Sequence, residues 1–376
     1  MKKFLKIAGV LFLGAIGIGL IWYFQSLKID GDPLLTACWS VDLYDDLTGE
    51  KVVGVEDLDF DPESGAIFLS AYDRRAVARE IEAGKVTTQG GIYTINVLDI
   101  TNTASLKVTD ISRGFKEAGN EFRPHGFGLG EFEGKNLLVV VNRKFYRPNA
   151  LKFQNYEDGP ATLTSIDVFE RNSGKLVLLE STIADLKCDP NDVAVREKKV
   201  FVTDSKVRCF LGLKTEGPRV TRMFNTPYEY PKNYISGNFY NGVLLWSENR
   251  VVISDTFNRS ILFYDENNKE INPTKNISLQ GGPDNLTKDF RENLYVTIFP
   301  NLLGYYFYMK SWLGVEKSPS AAYRISPETY EQTLLFKDDG DMISGATVAL
   351  RAGDYLILGS GWDDHIAICP GMDGLD

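Results

Sequence analysis

The sequence predicts an all-β fold, a six-bladed β-propeller behind an N-terminal transmembrane helix, and three observations carry that expectation. Six polar pairs recur along the 376 residues: Glu56-Asp57, His125-Gly126, Asn191-Asp192, Asn241-Gly242, Asp284-Asn285 and Ser344-Gly345. Intervals of roughly 40–70 residues suit propeller blades. Each pair leads into a short apolar stretch and a turn, and a second apolar stretch begins about ten residues after the pair. The second stretches are 67–69, 137–141, 200–202, 251–253, 294–296 and 355–358, and they usually close on Ser, Thr or Asn. The third observation is an unbroken apolar run at 7–24.

Taken from the N-terminus, that run follows Lys2, Lys3 and Lys6 and closes on Trp22-Tyr23. It is just long enough to span a bilayer, and the aromatic edge suits the interface. A cleaved signal peptide is the alternative. No convincing small-x-small cleavage site precedes Lys28, which favours a retained anchor over residues 1–27. The basic flank puts Met1 in the cytoplasm and the bulk of the chain in a periplasmic, lumenal or extracellular space. Residues 28–37 read as a linker and 38–376 as the propeller.

Within the propeller, Leu58, Phe60, Ile67 and Leu69 alternate at period two, as do Val193 and Val195. Turn-forming residues stand at 61–65, 171–174 and 265–268. Further strands are expected at 91–95, 164–169 and 260–264. Two segments break the rhythm. Residues 72–88 carry Arg74, Arg75 and Arg79 and read as a helical or looped insertion. Residues 302–313 are strongly aromatic and read as a blade-covering loop, a lid or a membrane-resting surface.

The net charge is −10 and the basic residues are scattered, so no stripe exists to track phosphates and nucleic acid is excluded as a partner. Four cysteines would face an oxidising compartment. A propeller commonly closes by pairing its two ends in one blade, which should make Cys38 and Cys369 neighbours. Cys188 and Cys209 flank the third repeat and read equally as a second bridge or as two buried thiols.

Equivalent positions in a propeller converge on one axis, so the pairs should meet. Glu56, Asn191, Asn241, Asp284 and Asn285 supply two carboxylates and three amides. These are hard oxygen donors that suit Ca2+, whereas zinc would want His or Cys. One residue along, Asp57, Asp192 and the backbone at Phe127 suit a second, more buried ion. Only two histidines occur, and no G-x-S-x-G elbow, so a serine triad lacks material. His125 is in phase with the donor pairs and reads as a general base or proton carrier, and His365 as structural.

These residues resemble the paraoxonase/arylesterase family, six-bladed calcium propellers similar to the gluconolactonase-like group. The matching stretches are 54–58, Arg123-Pro124-His125-Gly126, 137–142, 190–193, Asn241-Gly242, Asp284-Asn285 and 344–349. The resemblance implies a terminal disulfide between Cys38 and Cys369. It implies a catalytic calcium on Glu56, Asn191, Asn241, Asp284 and Asn285, and a structural one on Asp57, Asp192 and the Phe127 carbonyl. His125 would activate water as the first of a His dyad. The second His position holds Arg143, whose guanidinium cannot relay a proton. It could lower the pKa of His125 or bind a substrate carboxylate. The expectation is a membrane-anchored, calcium-dependent hydrolase of lactones or aryl esters. The rivals are a non-enzymatic chaperone or accessory subunit of a membrane protein, and a sugar lactonase with a polar substrate.

Overall fold

The computed structural model describes residues 29–145, 162–172, 174–183, 190–196, 199–204, 239–247, 249–265 and 273–375. The apolar run at 7–24, Cys188 and Cys209 lie outside these residues. No helix among the described residues is long and apolar enough to cross a membrane.

The chain is all-β. Strand β1 (Trp39–Asp45) carries the two-residue β2 (Lys51–Val52) folded back on it. The first repeat is the meander β3 (Val55–Asp61), β4 (Ala66–Ala71), β5 (Gly91–Asn96) and β6 (Ser105–Asp110). The second is β7 (Pro124–Phe132), β8 (Lys135–Phe145), β9 (Thr162–Asn172) and β10 (Lys175–Ile183). For the third, β11 (Pro190–Arg196) and β12 (Lys199–Asp204) are described. The fourth is β13 (Tyr240–Ser247), β14 (Arg250–Asp255), β15 (Ser260–Asp265) and β16 (Lys275–Ser278). The fifth is β17 (Gly282–Lys288), β18 (Leu294–Phe299), β19 (Ser320–Ile325) and β20 (Gln332–Asp338). The sixth is β21 (Val348–Ala352), β22 (Tyr355–Gly359) and β23 (Ile366–Pro370), with β1 from the other end of the chain as its outer strand. All six second apolar stretches form the second strand of their repeat, and the stretches expected at 91–95, 164–169 and 260–264 form third strands.

The first strands make a ring. β3 packs on β7, β7 on β11, β11 on β13, β13 on β17, β17 on β21, and β21 back on β3. This is consistent with a propeller. The core is split into layers between neighbouring sheets, and strand alternation explains how. Leu138 and Val140 face the first repeat with Phe68, Ile92 and Phe127. Val139 and Val141 face the third with Val193 and Val200. A second strand buried on both faces has no solvent side, so it reads as a continuous apolar run rather than an alternating one. The layer between the sixth and first repeats, with Leu58, Ile67 and Leu69 against Leu350 and Ile357, closes the circle.

The insertion after β4 is a helix, α1 (Arg74–Ala83), started by Asp73, whose carboxylate caps the amide of Ala76 at 2.8 Å, and ended by Gly84 in the left-handed conformation. A short α2 (Arg113–Glu117) follows β6. The aromatic segment is α3 (Leu302–Lys310) with a 3-10 turn at Trp312–Gly314. Its Tyr305 stacks on Phe299 at 3.7 Å between ring centroids, while Leu303, Trp312 and Leu313 are exposed. The segment read as a linker runs beside β20, with the amides of Leu34 and Leu35 donating to the carbonyls of Leu334 and Leu335.

Cys38 and Cys369 form the disulfide, across a sequence separation of 331 residues, beside the β1–β23 junction that closes the ring. Loop-closure entropy sets an upper bound of roughly 5–6 kcal/mol for a bridge of that span. Replacing both cysteines with serine should lower the melting temperature in non-reducing buffer. Reductant should lower that of the native chain by more than that of the double variant.

His365 sits at the start of the last hairpin, with Nε2 2.8 Å from the carbonyl of Met342 and Nδ1 2.8 Å from Asp364. Burial disfavours its charge, but Asp363 and Asp364 and the Met342 carbonyl outweigh that and raise its pKa. A raised folded-state pKa means its stabilisation is full below the unfolded value near 6.5 and fades as pH rises through the folded value. The melting-temperature gap between native protein and His365→Gln should therefore be widest near pH 5.5 and shrink by pH 8.5.

Candidate active site

The polar pairs sit at the start of the ring-forming strands, and a backbone irregularity aims them. In a regular strand, adjacent side chains point to opposite faces. Here the ladder between first and second strand slips at the pair in five repeats: between Val55 and Asp57, Pro124 and Phe127, Pro190 and Val193, Tyr240 and Val243, and Pro283 and Leu286. Such bulges twist a strand and re-aim side chains. The amides they displace find side-chain acceptors at the ends of the second strands. Asp192 N–H donates to Thr203 Oγ1 at 3.1 Å, Gly242 N–H to Ser254 Oγ at 2.6 Å, and Arg123 N–H to Asn142 Oδ1 at 2.9 Å. The recurrent Ser, Thr or Asn at those strand ends has this use in three repeats.

The result is one cavity of about 440 Å³, whose lining includes Glu56, His125, Asn191, Asn241 and Asp284 together with Arg74 and Arg143. Asn285 lies against Glu56, donating from Nδ2 to Oε1 at 3.1 Å and to the Glu56 carbonyl at 3.0 Å. The expected set from four repeats is thus brought together. The sixth pair is out of phase. Ser344 turns away, its hydroxyl donating to the Gly340 carbonyl at 2.9 Å, and Thr347 lines the cavity in its place, donating to the Glu56 carbonyl at 2.7 Å. No bulge interrupts the β21–β22 ladder to bring Ser344-Gly345 round.

Burial here leaves oxygens without donors. Among the described residues, Asn241 Oδ1 and Asn285 Oδ1 are buried and accept no hydrogen bond. Burial raises the Glu56 carboxyl, but His125, whose Nδ1 stands 2.8 Å from Oε2, and Arg74 outweigh that and lower its pKa. Burial pushes the Asp284 carboxyl well above the usual range, and Glu56 and Asp192 push it further. Deeper along the axis, Asp57 accepts from the amides of Phe127 and Leu58, both at 2.9 Å, and Asp192 from Val243 and Val193, both at 2.7 Å. Burial still drives both upward, with Asp192 adding to Asp57 and Glu56 adding to Asp192. The donor set is all oxygen, anionic and short of protons. That is the chemistry of a hard divalent cation with flexible coordination, and it fits calcium. Phe127 enters this cluster through its amide.

His125 is held nearly neutral-only. Burial lowers its pKa to about 4 against the attraction of Glu56, and the guanidiniums of Arg143 and Arg74 add to the lowering. Arg74 is the functional residue that sequence reasoning passed over. It is 7% exposed, it stands 3.3 Å from His125 Nδ1, and it grips the carbonyls of Gly54 at 2.9 Å and Gly361 at 3.2 Å. Only its lone position at the head of a helical insertion marked it.

Two glycines permit the close approach of neighbouring strands. A Cβ on Gly126 would collide with Asp192 Oδ1 and meet the Asn191 carbonyl at 2.7 Å, and one on Gly242 would meet the Asp284 carbonyl at 2.7 Å. Gly126→Ala should therefore cost about 1–3 kcal/mol in a urea melt, as an overpacked core does, and should weaken any metal-induced rise in melting temperature.

No curated protein matches this chain. Among solved structures, one described provisionally as a gluconolactonase aligns at 11% identity and a TM-score of 0.50 over 90% of this chain and 94% of its own. A protein of unknown function from Bacteroides thetaiotaomicron aligns at 11% identity and a TM-score of 0.51 over 89% and 75%. A luciferin-regenerating enzyme aligns at 12% identity and a TM-score of 0.46 over 85% and 92%. At such identities the first two speak for the fold alone. The arylesterase family model matches residues 52–368, and the chain belongs to the arylesterase family.

Proposed function

We propose that this protein is a calcium-dependent hydrolase of lactones or aryl esters, a six-bladed propeller held at a membrane by residues 7–24 and facing away from the cytoplasm. Family membership supports the hydrolase. The observation that carries the metal is the pair of buried amide oxygens without donors at Asn241 and Asn285, next to the buried carboxylates of Asp284 and Glu56. Glu56, Asn191, Asn241, Asp284 and Asn285 would hold the catalytic ion. Asp57, Asp192 and the Phe127 carbonyl would hold a structural one.

A bound calcium would supply Lewis acidity toward the substrate carbonyl. The chain does the rest. His125 is neutral at ordinary pH, and in the tautomer that carries its proton on Nδ1, facing Glu56 Oε2 at 2.8 Å, Nε2 is the nitrogen left to take the proton of an attacking water. Phe239, Phe257, Phe299 and Leu302 wall the cavity with apolar surface, which seats an acyl or aryl body and thins out water around the reacting bond. Arg143 occupies the place of a proton relay and cannot serve as one, so proton transfer rests on His125 alone.

Stripping metal with excess chelator should abolish turnover of phenyl acetate and of a lactone panel and lower the melting temperature, with both restored by Ca2+. Asp284→Asn should lose about 10²–10³-fold in kcat, and His125→Gln less. Full turnover by protein shown to retain no metal would defeat the reading. A chain that binds calcium, turns over nothing on the panel and co-purifies with a membrane protein would favour the non-enzymatic accessory role.

A further inference from the structure

Two guanidiniums line the cavity, and neither has an ion-pair partner among the described residues. Other sheltered arginines meet carboxylates, Arg113 with Asp45 at 2.7 Å, Arg171 with Asp61 at 2.9 Å and Arg351 with Asp289 at 3.4 Å, while the half-buried Arg75 holds two carbonyls and the Ser311 hydroxyl. Arg74 instead holds two carbonyls and the edge of His125, with the Tyr72 ring 4.0 Å below its guanidinium carbon. Arg143, on β8, gives Nη2 to the Pro190 carbonyl at 3.1 Å, and its Nε and Nη1 have no acceptor among the described residues. Guanidiniums away from water are normally matched by an anion.

The two carboxylates of this lining, Glu56 and Asp284, do not remove the excess. On the reading above, a divalent ion takes their charge, and both arginines, with Lys310 as a third cation of the lining, are then left uncompensated beside the apolar wall of Phe239, Phe257, Phe299 and Leu302. We propose that the cavity selects substrates carrying a free carboxylate on an apolar body, an anionic lactone or aryl ester, with Arg143 as the counter-charge and Arg74 beside it. The proposal rests on the reading above for its reaction and for the cation that takes the charge of Glu56 and Asp284. The Arg143 fork, fixed at one corner by Pro190, presents its remaining N–H groups to a carboxylate in the planar geometry such groups favour.

The test is calorimetric titration of the calcium-loaded full chain with benzoate and with benzamide, which share a shape and differ in charge. Benzoate should bind at least about tenfold more tightly, with the margin falling as salt is raised. Arg143→Gln should bring the two ligands to within about threefold, and Arg143→Lys should recover part of the preference. Equal binding of benzoate and benzamide by the native protein, which needs no variant to fold, would overturn the inference. So would a preference that survives in both Arg143→Gln and Arg74→Gln, because the carboxylate would then be held by something else. Phenyl acetate turnover, read in parallel, separates the two claims. Hydrolysis without charge preference overturns the anion site alone. Charge preference without hydrolysis of any ester supports the site and removes the enzyme.

Discussion

The structure depends on carboxylates being buried around one axis without enough protons to satisfy them. Glu56, Asp57, Asp192 and Asp284 are each at most 4% exposed; burial and neighbouring carboxylates raise the three aspartates, whereas at Glu56 the cost of burial is outweighed by His125 and Arg74, which lower its pKa. A cluster like this costs several kcal/mol per charge unless a counter-ion or hydrogen bonds offset it. Hydrogen bonds partly answer it at Asp57 and Asp192, which accept backbone amides from their own and the next ring strand. At Asp284 they do not, and Oε2 of Glu56 meets only His125. The ring strands therefore converge on a centre that is electrostatically incomplete, which a hydrophobic core alone would not specify.

The same groups tie the ring together. Asp57 joins the first repeat to the second through the amide of Phe127, and Arg143 the second to the third through the Pro190 carbonyl. Asp192 joins the third to the fourth through Val243, and Thr256 the fourth to the fifth through the Pro283 carbonyl at 2.7 Å. Asn285 and Thr347 both reach the Glu56 carbonyl from the fifth and sixth. Each strap crosses a junction between sheets near the axis, where the layered apolar cores are thinnest. Site geometry and ring closure are thus not separable: an alteration to one donor loosens a junction as well as the site.

Much of this was legible because the phase of a repeat survives translation into three dimensions. Glu56, His125, Asn191, Asn241 and Asp284 share a sequence position relative to the following apolar stretch, and rotation about one axis converts that shared position into contact. Three things were hidden. The bulges that turn both members of a pair toward the axis leave no residue signature beyond the pair itself. The sixth repeat lacks its bulge, so Ser344-Gly345 kept the sequence rhythm while Thr347 took the position in space. Arg74 comes from an insertion, outside the repeat altogether, and no periodicity could have placed it beside His125. The terminal strand exchange, by contrast, followed from topology, since β1 can only complete the last sheet if Cys38 and Cys369 come together.

On the proposed reading, an arginine where the resemblance implies a relay histidine changes more than proton transfer. A neutral imidazole at that place would leave the chamber's charge to the carboxylates and whatever cation they hold. A permanent guanidinium at Arg143 adds a positive charge that never titrates away, close enough to His125 to help keep it neutral. With Arg74 3.3 Å from the same imidazole, His125 is kept neutral, while the surrounding field favours negative charge on whatever enters. On the proposed reading this suits ester chemistry, where negative charge develops on the carbonyl oxygen during attack. An arginine where the resemblance implies a second histidine is then a change in how the field at the site is built rather than decay of the site.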